Sequence, residues 1–258
     1  MMRINGVFFS PTHTSEKILN GVIEGMGSDP SSMVNLTYEE SFSDYKEEDI
    51  VLFALPVYSG RIPVTALNRL NNLRGKGTRA VVIAVYGNRA FDDALAELND
   101  VVESLGFSVI SAAAFIGEHS YSEENYPIAE GRPDHWDLEK ARDYGVKLRD
   151  ILAEGREAGK PDIPGNRPYR ERSPENSVHP VTDKNLCTLC LDCVAVCPTG
   201  AIDKSSPALT EGDKCIKCCA CIKICSVHAR AFHDPGMKAI TEKLFNHFRE
   251  RREPEFFF

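Results

Sequence analysis

Nine cysteines occur in this chain of 258 residues, and eight of them form two runs with the same spacing, C-x2-C-x2-C-x3-C, at 187–197 and 215–225. Thiolates placed three residues apart can bind three irons of one cubane cluster from a single turning loop, while the fourth cysteine of each run faces the other cluster. The runs therefore predict two 4Fe-4S clusters. The first would be bound by Cys187, Cys190, Cys193 and Cys225, and the second by Cys197, Cys215, Cys218 and Cys221.

Three other interpretations of the cysteines stay open. Paired zinc sites normally separate two C-x2-C knuckles by a long spacer, which these compact runs lack. Disulfides would need an oxidising compartment, and the first 30 residues lack the apolar core of a signal peptide. The clusters could also be purely structural, in a redox sensor or a binding module without flavin. Cys219 is expected to be a spectator, although it could replace Cys218 or Cys221 as a ligand.

The net charge of −8 is concentrated in the first part of the chain. Residues 1–155 contain 14 Lys and Arg against 24 Asp and Glu, whereas residues 181–235 contain six of each kind. An acidic surface makes nucleic acid a poor partner. No apolar run approaches the roughly 18 residues of a membrane-spanning helix, so we expect a soluble, cytoplasmic protein without membrane insertion. The sequence leaves homodimer formation open.

Apolar runs alternate with helical patterns over residues 1–155, which we expect to form one α/β domain. Continuous apolar strands separated by helices are typical of a parallel sheet covered on both faces. The pattern predicts a doubly wound sheet of five parallel strands, at 3–9, 33–37, 49–57, 79–87 and 107–117. Helices are expected from the segment 10–15 to residue 26, and at 64–71, 91–105 and 134–154. Asp134 is the expected N-cap of the last helix.

Residues 156–180 interrupt this alternation and are predicted to be a linker, because they contain five prolines and two glycines. The cysteine runs then define a small α+β domain at 181–235. An amphipathic helix is expected at 237–252, with Ile240, Leu244 and Phe248 on its packed face. Together with the apolar end of the chain, the segment 236–258 is expected to pack against the rest of the protein.

Three loops lie at the carboxyl ends of the predicted strands, where doubly wound sheets bind ligands. Residues 10–15 are rich in hydroxyl groups and open a helix, so they can bind a phosphate at the positive end of the helix dipole. Residues 56–63 and 86–89 each place a tyrosine, a glycine and an arginine at a strand end, which suits a flat heteroaromatic ring. The sequence contains no G-x-G-x-x-G motif and no P-loop lysine.

With these motifs, the N-terminal part resembles a flavodoxin, and the whole chain resembles the flavodoxin-ferredoxin fusion proteins of anaerobic bacteria and archaea. The resemblance rests on segments 9–15, 55–63 and 85–89 and on both cysteine runs. It implies a flavodoxin-like FMN domain followed by a bacterial-type two-cluster ferredoxin domain. The FMN phosphate would be bound by Ser10, Thr12, His13, Thr14 and Ser15. The flavin ring would be surrounded by Pro56, Val57, Tyr58, Ser59, Gly60, Tyr86, Gly87 and Asn88.

Two positions depart from the family pattern. His13 stands where these loops commonly have glycine or another small residue, which tightens the phosphate loop or adds a pH-sensitive donor. Ser226 replaces the proline that usually follows the fourth cysteine of a run. This second change bears on the local turn and the cluster potential, and leaves the ligands themselves in place.

A two-electron flavin joined to one-electron clusters predicts an electron-transfer protein that relays electrons between FMN, the clusters and redox partner proteins. The alternative is an FMN-dependent iron-sulfur oxidoreductase acting on a small molecule bound over the flavin. Arg61, Arg89, His119 and Tyr121 are the side chains that could serve such a substrate, and no catalytic residue is assigned. The missing nicotinamide fingerprint gives no support to direct use of NADH.

Overall fold

The computed structural model describes residues 3–154, 159–174 and 176–258. The strands are β1 (Arg3–Phe8), β2 (Ser32–Asn35), β3 (Ser43–Asp44), β4 (Asp49–Pro56), β5 (Leu73–Arg74), β6 (Thr78–Tyr86), β7 (Phe107–Ile116), β8 (Val181–Thr182), β9 (Arg230–Ala231) and β10 (Glu255–Phe257). The helices are α1 (Thr14–Gly25), α2 (Val64–Leu70), α3 (Ala94–Ser104), α4 (His135–Ala153), α5 (Asp192–Ala195), α6 (Ala220–Lys223) and α7 (Pro235–Phe248), with a 3-10 turn at Gly212–Lys214. None of these described helices has the length and apolar character that crossing a membrane requires.

Five parallel strands form the central sheet in the order β2-β1-β4-β6-β7. Counted along the chain, this is the order 2-1-3-4-5 of flavodoxin-like doubly wound sheets. The predicted α/β fold class is therefore confirmed. The strand order reverses between β1 and β4, so the loops that follow these two strands lie side by side at one edge of the sheet.

The central strand β4 explains why the apolar run at its position is continuous. Every residue of this strand is buried. Val51, Phe53 and Leu55 pack on the side covered by α2 and α3, whereas Ile50, Leu52 and Ala54 pack on the side covered by α1 and α4. A strand with helices on both faces needs apolar side chains at successive positions, because no position faces water.

The last helix of this domain begins as predicted. Asp134 is its N-cap, and a capping box is complete because Asp137 N donates to Asp134 and Asp134 N donates to Asp137. On the inner side of α4, Gly145 lies so close to the Val22 carbonyl of α1 that a Cβ would overlap it. The glycine therefore permits the close packing of these two helices.

A sixth strand, β10, pairs antiparallel with β7 at the edge of the sheet, with Phe256 opposite Ala113. This strand was not among the five expected from the sequence. The Phe256 ring stacks on Tyr144 at 4.9 Å and meets Phe115 edge-on at 5.5 Å. These aromatic contacts stabilise the three-residue strand β10, which covers the edge of the sheet.

The proline-rich segment contains no helix or strand in its described residues, 159–174 and 176–180, and its residues 160–172 lie along α3. Its backbone is anchored on Asp93, which accepts the N-H groups of Asn166 and Arg170 at 2.7 Å each. Arg167 and Tyr169 both donate to Asp100. The expected boundary at 155–156 and the first linker residues, 156–158, lie outside the described residues.

The C-terminal domain contains an internal repeat. Each residue of the first half corresponds to the residue 28 positions later, as Cys187 corresponds to Cys215. Each half contains one short helix, α5 or α6, inside its cysteine run. In one half Thr182 pairs with Arg230, and in the other Ile202 pairs with Thr210. The two halves therefore build matching loops around two sites.

Helix α7 has two of its three expected packed residues, Leu244 and Phe248, half-buried, but its buried residues lie on a neighbouring line of the helix. Met237 and Thr241 are buried and the Phe245 ring meets Tyr126 at 5.7 Å, whereas Ile240 is 47% exposed. The placement of Ile240 on the packed face is thus wrong. With about 3.6 residues per turn, Met237, Thr241 and Phe245 follow one side of the helix and position 240 lies at its margin. The helix also ends at Phe248, because the chain beyond it turns toward β10.

Candidate functional site

The four cysteines predicted to bind the first cluster line one cavity of the C-terminal domain. Cys187, Cys190, Cys193 and Cys225 all contribute to its wall. Leu189 and Leu191 both adopt left-handed backbone angles, with φ of 59° and 70°. These two residues let the loop curl, so that three thiols of one run and the last thiol of the other face the same space.

The four cysteines predicted for the second cluster also lie near one another. Burial raises the pKa of the Cys218 thiol to about 12, and the neighbouring thiolates of Cys221, Cys197 and Cys215 raise it as well. Burial likewise raises the pKa of Cys215, with a contribution from Cys197. Cys218 is buried, whereas Cys190 of the first set is exposed. The second set therefore occupies the more protected side of the domain.

The fourth cysteine of each run accepts a backbone hydrogen bond in the same geometry. Ala201 N lies 3.2 Å from Cys197 Sγ, and Ala229 N lies 3.2 Å from Cys225 Sγ. Such N-H···S bonds contribute to the potential of a bound cluster. Ser226, which replaces the usual proline, therefore leaves this turn intact.

Among the described residues, no three His, Cys, Asp or Glu side chains are close enough to share one metal ion. A cubane does not need such convergence, because each of its four thiolates binds a different iron. The ligand sets of both clusters stay predictions. Cys219, the ninth cysteine, is 2% exposed and its thiol donates to the Lys217 carbonyl at 3.6 Å.

The hydroxyl-rich loop lies between β1 and the N-terminus of α1. Ser10 Oγ accepts the Glu16 N-H at 3.1 Å, which closes the loop over the first turn of the helix. His13 adopts a left-handed conformation with φ of 62°, and its Nδ1 lies 2.8 Å from Glu16 Oε2. The histidine thus occupies a backbone position that favours glycine, and its side chain turns away from the loop toward a carboxylate.

The two ring loops lie beside this segment at the same sheet edge. The first is a tight turn in which Tyr58 and Arg61 exchange backbone hydrogen bonds of 2.8 and 3.1 Å. Ser59 and Gly60, at its tip, both have positive φ, of 53° and 80°. In the second loop, a Cβ on Gly87 would overlap the His119 ring. Glycine is therefore required at both places, for conformation in one and for close approach in the other.

Two buried polar atoms in these loops lack a partner among the described residues, namely Ser15 Oγ and Asn88 Oδ1. An unpaired buried polar atom costs about 1–3 kcal/mol, so a ligand that pairs with both is favoured. A phosphate at the start of α1 and a flavin ring near β6 would supply such partners. The residues present therefore fit FMN. The other face of Asn88 is engaged, since its Nδ2 donates to the Phe248 and Glu250 carbonyls at 2.5 and 2.8 Å.

Tyr58 of the first ring loop lies near Cys218 of the second set. Burial raises the pKa of Tyr58 well above its ordinary value, and Cys218 and Cys219 raise it further. Tyr121 has a raised pKa for the same reasons, burial first and then the same cysteines. Both tyrosines therefore lie near the cysteines predicted to bind the second cluster.

Polar and apolar contacts hold the two domains in this arrangement. Arg69 donates to the Leu36 and Thr37 carbonyls at 2.8 and 2.6 Å and to the Pro198 carbonyl at 2.8 Å. Lys223 forms an ion pair with Glu118. Arg69 therefore bridges the loop after β2 and the turn after the first cysteine run.

The residues considered for a small-molecule substrate have other partners. Arg61 donates to Glu97 at 2.9 and 2.7 Å and to the Arg170 carbonyl at 2.6 Å. Arg89 is paired with Asp92. Arg61 therefore holds the first ring loop, α3 and the linker together, whereas Arg89 is paired within its own segment.

His119 is an uncharged histidine at neutral pH. Burial lowers its pKa to about 4, with a further contribution from the positive charges of Lys223 and Arg89. Its Nδ1 accepts the Tyr121 N-H at 3.0 Å, which leaves the proton on Nε2. The ring thus packs on Gly87 as a neutral group and can donate one hydrogen bond toward its surroundings.

Sequence reasoning missed three residues that organise these sites: Glu97, Arg69 and Arg230. Glu97 is buried and collects four hydrogen bonds, from Arg61, Ile62 and Arg172. The sequence did contain a signal for Glu97, because a carboxylate among the apolar positions of a predicted helix indicates a buried charge with a partner. The two arginines carried no local signal, because their partners lie in distant segments.

Comparison with known proteins identifies one domain family in the chain. Residues 179–226 match the family described as a 4Fe-4S dicluster domain. No curated protein matches the chain. Among solved structures, the chain is similar to a flavodoxin from the domain Archaea (11% identity, TM-score 0.39), with 59% of this chain and 99% of that chain covered. It is also similar to a flavodoxin from Streptococcus pneumoniae TIGR4 (16%, TM-score 0.40, covering 58% and 99%).

A third similar structure is the rubredoxin oxygen:oxidoreductase of Desulfovibrio gigas, at 13% identity and a TM-score of 0.39, covering 59% of this chain and 36% of that one. The 4Fe-4S domain gives the chain a redox, electron-transfer role. The strand order of the N-terminal sheet is independent of these comparisons. The chain therefore joins an α/β domain of flavodoxin-like topology to a 4Fe-4S dicluster domain.

Proposed function

We propose that this protein relays electrons between FMN, two 4Fe-4S clusters and redox partner proteins in the cytoplasm, where thiols stay reduced. The proposed domains are 1–155 for FMN, 156–180 as linker, 181–235 for the clusters, and 236–258 as a C-terminal helix and tail packed on the body. FMN would supply two-electron chemistry, and each cluster would carry one electron.

The observation that carries this proposal is the proximity of Tyr58 to the second set of cysteines. Tyr58 belongs to the first ring loop, yet Cys215 and Cys218 of that set are close enough to raise its pKa. A flavin on this loop and a cluster on these cysteines would be neighbours, separated by tyrosine side chains. Such proximity supports electron transfer inside one molecule.

The exposure of the cysteines supports an order of the carriers in the relay. Cys218 is buried, whereas Cys190 is exposed and the adjacent Leu189 is 63% exposed. A partner protein would therefore approach the first cluster, and electrons would pass between it and FMN through the second cluster.

The first test is anaerobic purification, with iron, acid-labile sulfide and FMN measured per chain. We expect about eight irons, eight sulfides and one FMN, because two four-iron clusters and one flavin site are proposed. Cys218→Ala should lose about half of the iron, whereas Cys219→Ala, which changes the adjacent buried thiol, should keep all of it. Equal iron loss in both variants would make Cys219 a ligand.

The flavin site is tested by Ser15→Ala, which removes a buried hydroxyl without a protein partner. A hydrogen bond to a charged group contributes about 1.5–3 kcal/mol. Each 1.4 kcal/mol changes affinity about tenfold, so FMN should bind about 10 to 100 times more weakly. The control is Ser104→Ala, which alters an exposed hydroxyl on α3. Full iron without FMN, even in excess FMN, would contradict the flavin half of the proposal.

The relay itself is tested by photochemical reduction of FMN, followed by cluster reduction in visible and EPR spectra. We expect a first-order rate that does not depend on protein concentration. A rate proportional to concentration would show transfer between molecules and would contradict the relay. Saturable consumption of a small molecule by the isolated protein would instead favour the FMN-dependent oxidoreductase. This alternative has less support, because Arg61 and Arg89 already form ion pairs with Glu97 and Asp92.

A further inference from the structure

Arg230 is a buried cation between the two predicted cluster sites. It is 3% exposed and belongs to β9, which pairs with β8. Its side chain lines the same cavity as Cys187, Cys190, Cys193 and Cys225. Its side chain therefore lies beside the first predicted cluster site.

The guanidinium is held by neutral oxygens from both halves of the repeat. Nη1 donates to Thr182 Oγ1 at 2.8 Å and to the Pro207 carbonyl at 3.2 Å. Nη2 donates to Thr210 Oγ1 at 2.5 Å and to the Pro180 carbonyl at 3.3 Å. Nε has no hydrogen-bond partner among the described residues. Four of the five N-H groups of this side chain are thus used, and one is left over.

Arg230 forms no ion pair with a carboxylate within the described part of the chain. A guanidinium remains charged throughout the ordinary pH range. A buried charge without a counter-charge is strongly unfavourable, so the fold requires an anion close to Arg230. The anions available at this place are the cysteine thiolates and the clusters that they would bind.

Arg230 lies near thiols of both sets. It lines the cavity of the first set, and its side chain is within interaction distance of Cys221, a predicted ligand of the second cluster. One cation is therefore close to both sites.

The internal repeat shows that this position does not need a cation for the domain to fold. Ile202 stands 28 residues before Arg230, at the same place after its cysteine run. It is likewise 3% exposed and pairs with Thr210, as Arg230 pairs with Thr182. An apolar side chain, Ile202, therefore packs adequately at this position in the first half. Packing alone does not explain why the second half has the charged Arg230 there.

We propose that Arg230 raises the reduction potentials of both clusters, with its free Nε donating to a sulfur of a cluster or of a ligand cysteine. Reduction adds one electron, and hence one negative charge, to a cluster, and the buried guanidinium stabilises that added charge. The inference rests on the proposed function, because it requires both clusters to be bound.

The test compares reduction potentials in EPR-monitored redox titrations of the full-length, cluster-loaded protein. In Arg230→Met, the ratio of oxidised to reduced cluster at a fixed potential should rise about tenfold for each cluster, which is 59 mV for a one-electron couple. Ile202→Met is the matched control, since it changes packing at the equivalent position without changing charge, and its potentials should stay close to the wild-type values. Arg230→Lys keeps the charge but loses the Nε donor, so its shift should be smaller than that of the methionine variant.

Iron content separates failure of this inference from failure of the proposed function. Wild-type protein without clusters would contradict the proposed function. Arg230→Met with full iron and wild-type potentials would overturn the role of Arg230 alone. If the methionine variant loses iron, Arg230→Gln decides the question, because it removes the charge and retains donors for the threonines; unchanged potentials in that variant would overturn the inference as well.

Discussion

Replacing Glu97 by glutamine tests how the first ring loop is held at the edge of the sheet. The carboxylate is buried and accepts the Arg61 Nε and Nη2 groups at 2.9 and 2.7 Å, the Arg172 Nη2 group at 2.7 Å and the Ile62 N-H at 2.9 Å. Arg61 belongs to the loop and Arg172 to the linker. Glu97→Gln keeps the shape of the side chain and removes the charge that joins these segments.

The expected cost follows from the burial of the partners. Removing one member of a buried ion pair costs about 3–5 kcal/mol, because the remaining charge is left uncompensated. The side chain of Arg61 is 12% exposed and that of Arg172 is 34% exposed, so water can solvate part of the charge left behind. We therefore expect a loss of about 3 kcal/mol, at the lower end of that range.

Hydrogen-deuterium exchange measures this loss locally, in peptides that cover residues 58–63 and 166–172. At about 1.4 kcal/mol per factor of ten, exchange of the Ile62 amide should become about 100 times faster in Glu97→Gln. The control is Glu103→Gln on the same helix, where the carboxylate is paired with Lys160 at the surface. An exposed pair contributes less than about 1 kcal/mol. Equal exchange in the two variants would refute the role assigned to Glu97.

Two further predictions concern stability. Phe256→Ala should destabilise the N-terminal domain by about 2 kcal/mol in thermal unfolding, which is less than the loss of a fully buried aromatic because Phe256 is 37% exposed. The matched control is Phe42→Ala, at a residue that is 77% exposed. An equal effect of both substitutions would show that β10 does not stabilise the sheet. Burial lowers the pKa of His119 to about 4, whereas an unfolded histidine has a pKa of about 6.5. The unfolded state therefore binds more protons between these two pH values. The contribution of His119 to stability is complete above a pH of about 6.5 and is lost as the pH falls toward about 4. His119→Gln should flatten this dependence in unfolding midpoints measured at several pH values, His247→Gln should not, and an unchanged slope in the first variant would contradict the assignment.

The parallel sheet was predictable because burial on both faces leaves a continuous apolar signal, as in the eight residues of β4. Its order was predictable because flavodoxin-like sheets share one winding. The edge strand β10 was not, since three residues carry too little pattern and their stability comes from Tyr144 and Phe115, more than 100 positions away. The packed face of α7 was misjudged at Ile240 for a similar reason, because neighbours choose the buried side of a short amphipathic helix.

The sequence by itself determined the spacing of the cysteine runs and the residue types of the loops at the sheet edge, because the patterns that predict cluster ligands and phosphate loops are local. Only the tertiary structure decided that Tyr58 lies near Cys218, that Glu97 holds the first ring loop, and that Arg230 lies near both cysteine sets. Each of these contacts joins segments that are distant along the chain. Such contacts follow from the packing of whole elements around a common core, and no short window of sequence contains the information that specifies them.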